Sequence, residues 1–71
     1  AEDAQRLQIA MNNLPAEFRE ALVLRHQEGL SYDQIAQVAG IPPGTVMSRL
    51  ARARTRLRSF LLEAETKENR Q

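Results

Sequence analysis

The sequence predicts an all-α domain of four helices, without strands, whose last two helices form a helix-turn-helix. Three observations carry that reading. Apolar residues recur at three- and four-residue spacing, and no segment shows the period-two alternation of a strand. A compact break, Gly40-Ile41-Pro42-Pro43, separates a short helical stretch from a long one. Charge is also sorted along the chain, although the net value is only +1. Ala1 to Asp33 holds six acidic side chains against three arginines. Gln34 to Leu62 holds no acid, and Arg49, Arg52, Arg54, Arg56 and Arg58 make it the one positive segment. The last nine residues return to slight acidity.

Bulk properties narrow the class. Seventy-one residues make one small domain, close to the size at which a single core only just suffices. With 42% apolar and 27% charged residues, the chain reads as an ordinary soluble globular one. We expect a single domain over 1–71, with the helix-turn-helix over about 32–62 and a frayed tail over 63–71. The absence of cysteine excludes disulfides and thiolate metal sites. Apolar runs of only a few residues cannot span a membrane. No signal peptide is visible and the first residue is not Met, so the expectation is a cytoplasmic piece of a longer protein.

Each element has local reasons. Ala1 to about Asn13 reads as the first helix, with Leu7, Ala10, Met11 and Leu14 along one face. The second runs from about Pro15 to Gln27, with Glu17 and Glu20 early and Arg25 and His26 late, as the helix dipole favours. Phe18, Ala21, Leu22, Val23 and Leu24 give it a wide apolar face, so it is expected to be the central helix, packed on both sides. Gly29 closes it. The third helix, Tyr32 to Ala39, starts at a capping box of Ser31 and Gln34, with Leu30 and Ile35 as a hydrophobic staple. Asp33 suits its positive end. Ile35, Val38 and Ala39 are expected to face inward, and Ala36 is small where two helices must approach closely. Gly40 tolerates the positive φ that ends this helix, Ile41 can drop into the core, and Pro42-Pro43 restart the chain. The fourth helix extends from Pro43 to about Leu62, with Val46, Leu50, Ala53, Leu57 and Leu61 as one apolar stripe. Ser48, Ala51, Arg52, Thr55 and Ser59 point away from that stripe, and Arg49, Arg54 and Arg56 flank it.

Charge runs are usually just solvated faces, but a solvated face mixes signs. Here no acid lies within helical reach of Arg52, Arg54 or Arg56. The exposed positions near the helix start, Gly44, Thr45, Met47, Ser48 and Ala51, are small or adaptable, as a helix entering a DNA groove requires. The second helix of a helix-turn-helix enters the major groove, so nucleic-acid binding is the favoured reading. Met11 reads as core, whereas Met47 lies off the stripe and has no packing reason to be apolar. Tyr32 is equally open to half-buried packing or to a phosphate contact at a helix N-terminus. His26, the single histidine, has no partner in the pattern and reads as a surface residue at a helix end. The carboxylates are scattered, and no Ser/His/Asp set, phosphate loop or metal-ligand spacing is present. Neither an enzyme nor a cofactor is expected.

These residues resemble a known family. Leu14-Pro15 followed by a helix, then L-R-H-Q-E-G-L-S-Y-D-Q-I-A and G-I-P-P-G-T-V-M-S-R-L-A-R-A-R-T-R-L, is similar to region 4 of RNA polymerase sigma factors. The resemblance is to the extracytoplasmic-function (ECF) subgroup, and it covers about Leu14 to Leu61. It implies a three- to four-helix, winged-helix-like bundle that docks on core RNA polymerase and recognises the −35 promoter element. It also implies an anti-sigma factor as a further partner. Carried over by position, it turns Met47, Ser48, Ala51 and Arg52 toward base edges. It turns Arg25, Tyr32, Arg49 and Arg54 toward phosphates, with Pro43, Gly44 and Thr45 close to the DNA backbone. Two positions depart from the family. Lys or Arg is common where Met47 stands, and a larger side chain where Ala51 stands. Hydrogen-bond readout should therefore lean on Arg52 and Ser48, with the rest left to thymine methyl contacts or DNA shape. Nothing in the chain resembles region 2, which in the family melts DNA.

The residue pattern is open to other readings. The chain could be the output domain of a dimeric transcription regulator that pairs through its last helix, whereas a sigma module is expected to be monomeric. It could be a sigma-like domain that only holds a protein partner, although such a domain has little need of an acid-free arginine helix. A basic amphipathic helix could lie on a membrane, but here the core needs its apolar stripe.

Overall fold

The computed structural model describes the backbone of residues 2–69 and the side-chain burial of residues 4–63. Helix α1 spans Glu2–Asn12, α2 spans Ala16–Leu22 and continues as a π-helical turn over Val23–Gln27, α3 spans Tyr32–Ala39 and α4 spans Pro43–Asn69. No strand occurs among the described residues. At about 1.5 Å per residue, the 27 residues of α4 make it the long axis of a body 47 × 22 × 16 Å in extent.

Helix α4 is the surface on which the rest assembles, because α1, α2 and α3 all pack against it. Its Val46, Leu50 and Ala53 are fully buried, and with Leu14, Phe18, Ala21, Leu22, Ile35 and Ala36 they form one core. Met11, Leu24, Leu30, Tyr32, Ile41 and Leu57 close its edges.

The turn between α3 and α4 is built from local chemistry. Ser31 Oγ accepts from the Gln34 N–H at 3.1 Å, and the Ser31 N–H donates to Gln34 Oε1 at 2.8 Å. This reciprocal box satisfies two donors that a helix start leaves open. Gly40, at φ 70° and ψ 36°, ends α3 in the left-handed region, where a side chain would be strained. The Gly40 and Ile41 N–H groups both donate to the Ala36 carbonyl, at 2.9 and 3.1 Å. The Pro42 carbonyl then accepts from Thr45 and Val46 and opens α4.

Five expectations need correction. The second helix is not one α-helix from Pro15 to Gln27: Pro15 is its N-cap, and its last five residues widen into a π turn. There the Glu28 N–H donates five residues back to the Val23 carbonyl, and the Leu30 N–H donates to the Leu24 carbonyl at 3.0 Å across Gly29, at φ 69°. This helix is also not packed on both sides. Val23 and Leu24 are only half-buried, and they line an open groove with Arg19, Glu20 and Val38. Val38, expected inside, is 66% exposed, and Ala39 is exposed too. The short α3 has room for one inward ridge, and Ile35 with Ala36 already fill it. Leu7 is 47% exposed, since among the described residues α1 meets the core through Ala10, Met11 and the following Leu14. Finally, α4 does not stop near Leu62 but is helical through Asn69. The expected frayed tail therefore falls partly on helical backbone, while the side chains beyond Glu63 and residues 70–71 lie outside the described residues.

Candidate nucleic-acid interface

The burial of one side of α4 decides what the other side can offer. With Val46, Leu50 and Ala53 facing the core, the 100° step per residue turns Ser48, Ala51, Arg52, Thr55 and Ser59 to solvent, and all five are exposed. Met47 is 57% exposed and takes no part in the core. The face is slim at its start: Pro43 and Gly44 are exposed, Thr45 is half-buried, and a Cβ built on Gly44 would meet nothing within 4 Å. The Thr55 hydroxyl turns back onto the Ala51 carbonyl at 3.0 Å, so it competes little for an outside ligand.

The arginines divide into two kinds. Among the described residues no ion pair engages Arg52, Arg54, Arg56 or Arg58. Arg52 is exposed on the outer face, and Arg54 is half-buried beside Leu57. Arg49, Arg56 and Arg25 are held by contacts within the protein. Arg49 lies 3.7 Å from Glu17 of α2, with side-chain exposures of 28% and 56%. Such a pair contributes only about 0.2–1 kcal/mol, so a phosphate can readily compete for Arg49. Arg56 sits over the Phe18 ring, 5.1 Å from its centroid. Arg25, carried by the π turn, donates to the Leu30 carbonyl at 2.9 Å and lies 5.1 Å from the centre of the Tyr32 ring. That clasp holds Arg25 and Tyr32 together at the start of α3. Tyr32 is half-buried and packs against the core edge.

Of the eleven positions singled out for DNA, Pro43, Gly44, Thr45, Met47, Ser48, Arg49, Ala51, Arg52 and Arg54 come together on α4, while Arg25 and Tyr32 form a separate pair beside α3. The arrangement offers a neutral-to-cationic helix face with basic flanks, and no acid stands on α4 before Glu63. Sequence reasoning missed the Arg56–Phe18 stack and the Arg49–Glu17 pair. Both join residues more than thirty positions apart, and no local spacing announces such contacts. It also missed the open groove of Val23, Leu24 and Val38, where Val23 and Leu24 stand half-buried on the π turn. Among the described residues no group of His, Cys, Asp or Glu could hold a metal ion. No helix among them is long and apolar enough to cross a membrane.

Comparison with known proteins bears on the same segment. A sequence model of the family described as sigma-70, region 4, matches residues 4–57. The chain is 51% identical over 55 residues to the ECF RNA polymerase sigma factor SigE of Mycolicibacterium smegmatis, covering 78% of this chain and 21% of that protein. It is 50% identical over 44 residues to the ECF RNA polymerase sigma-E factor of Haemophilus influenzae, covering 62% of this chain and 23% of the relative. Against the ECF RNA polymerase sigma factor EcfG of Rhodopseudomonas palustris it is 39% identical over 57 residues, covering 80% and 32%. The chain thus spans between about a fifth and a third of the length of these curated relatives.

Proposed function

Since the chain belongs to the sigma-70 region 4 family, we propose that it is the promoter-recognition module of an ECF-type RNA polymerase sigma factor. Residues 1–71 act as one module of a longer bacterial cytoplasmic protein, and α4 reads the −35 element in the major groove. The observation that carries this reading is the outer face of α4, where Met47, Ser48, Ala51 and Arg52 stand exposed opposite the buried Val46–Leu50–Ala53 stripe. The flanking Arg49 and Arg54, the α4 start at Gly44–Thr45, and the Arg25–Tyr32 pair contact phosphates. Neutralising phosphates releases counterions, which supplies most of the affinity and makes it salt-dependent. Base contacts add about 1–3 kcal/mol for each good bidentate pair, and Arg52 is the one residue on the face suited to form one.

One short module binds weakly by itself, and tethering to polymerase and to the rest of the sigma factor raises its effective concentration at the promoter. The groove of Arg19, Glu20, Val23, Leu24 and Val38 is built from α2, its π turn and α3, without residues of the outer face of α4. It is the seat for core RNA polymerase or for an anti-sigma factor. The module is monomeric, so its sedimentation should not depend on concentration.

Selection from a random duplex pool tests the reading. Enrichment of one short motif is expected. Binding of all duplexes alike would sink base readout, and failure to bind any duplex at low salt, with a protein partner still captured, would favour a purely protein-holding role.

A further inference from the structure

We propose that Arg56, held against the ring of Phe18, is an additional phosphate-binding residue on the α2 side of the recognition helix. The inference rests on the DNA-binding reading above and adds a contact that the resemblance does not assign.

The two arginines flanking Arg52 on this side of α4 are both tied to consecutive residues of α2. Arg49 pairs with Glu17 at 3.7 Å, and Arg56 lies over Phe18 at 5.1 Å. The two ties differ in what they leave available. The ion pair occupies Arg49's charge. The ring occupies only one face of the Arg56 guanidinium, so the N–H donors around its edge stay free. No ion pair engages Arg56 among the described residues, and its side chain is exposed. Phe18 is only 7% exposed and fixed in the core, so the surface on which Arg56 rests is rigid. The result is a cation with its full charge, its donors free and one stem conformation favoured by stacking. That reduces the ordering cost an exposed arginine otherwise meets on binding.

Its position selects phosphate over base. Arg56 stands one turn, about 6 Å, beyond Arg52 along the axis, and rotated from the outer face onto the flank toward α2. Side chains on the outer face of a groove-bound helix meet base edges, while those on its flanks meet the phosphate walls. Arg52, Thr55 and Arg56 share a shallow groove floored by Phe18 and Ala51. The proposed base-reading cation and the proposed phosphate cation are therefore neighbours. Arg58, by contrast, sits on the opposite flank among Leu57, Leu61 and Leu62, and among the described residues no ring lies beneath it.

The test is the salt dependence of binding to a fluorescent mixed-sequence duplex, measured for the chain and for R56Q and R58Q. Each phosphate neutralised contributes about 0.9 to the slope of log K against log salt. R56Q should flatten the slope by about that amount and lower the thermal midpoint no more than the loss of one exposed stack allows, while R58Q leaves the slope as it was. The milder F18L, which keeps an apolar side chain, should weaken binding in the parent and change nothing further once R56Q is present. An unchanged slope in R56Q overturns the proposal while DNA binding stands, and so does an equal flattening in R58Q, which would mark a net-charge effect. A lowered midpoint in R56Q with its slope intact would mean that the stack serves stability alone. A parent chain that binds no duplex at low salt would remove the DNA-binding reading itself, and this inference with it.

Discussion

The two sides of α4 are made from the same eleven or so residues, yet they answer to different constraints. On the inner side Val46, Leu50 and Ala53 have no exposed surface at all, and each touches residues of other helices. On the outer side Ser48, Ala51 and Arg52 are exposed and take no part in the core. One side is fixed by shape, because a close-packed interior resists any change of volume. The other is free to vary without unfolding the protein, which is the condition for a surface that reads different sequences on a constant scaffold. The comparison also separates the arginines. Those facing α2 are anchored, and those turned outward are solvated.

The strongest way to break this division is from within. Leu50→Ala should destabilise the domain by about 2–5 kcal/mol, since a fully buried leucine leaves a cavity. A urea melt reads it, and a midpoint equal to the parent's would mean that the inner stripe does not hold the fold. The outer side should respond in the opposite sense. Arg52→Ala is expected to leave the melt unchanged and to erase about 1–3 kcal/mol of discrimination between a selected duplex and its scrambled form. Undiminished discrimination would show that the reading face had been assigned wrongly.

Smaller effects sharpen the boundary between the sides. Ser31→Ala removes one half of the capping box and should cost about 1 kcal/mol of stability. Its effect on DNA binding at a temperature where both proteins are folded should be slight, and a large one would tie the start of α3 to the ligand directly. The Arg49–Glu17 pair lies on the border, and Glu17→Gln should lower stability by no more than about 1 kcal/mol. The same change should strengthen binding to every duplex by freeing Arg49. A loss of affinity instead would mean that Glu17 orients Arg49 for its phosphate rather than competing for it.

Much of the domain was legible because its cues are local. Ser31 and Gln34 are three residues apart, Gly40 marks the one left-handed residue between α3 and α4, and the 3.6-residue period sets which side of α4 is apolar. The bounds of α3 and the exposure of Ser48, Ala51 and Arg52 follow from such short-range rules. Val38 and Leu7 were misjudged for the opposite reason. An apolar residue at helical spacing announces that it can be buried, not that another helix will arrive to bury it, and α3 offers only the ridge of Ile35 and Ala36 to the core.

The sequence alone therefore determined the number of helices, the turn that joins the last two, and the separation of a greasy side from a cationic one, since each is encoded within a few neighbouring residues. Only the tertiary structure decided that α2 would widen into a π turn, leave Val23 and Leu24 beside an open groove, and bring Arg25 onto Tyr32. The same holds for Arg49 and Arg56, whose partners on α2 lie more than thirty residues away along the chain. The energies that select these contacts are small, about 1 kcal/mol each. They depend on how two helices happen to be juxtaposed, which no periodicity in a single helix can express.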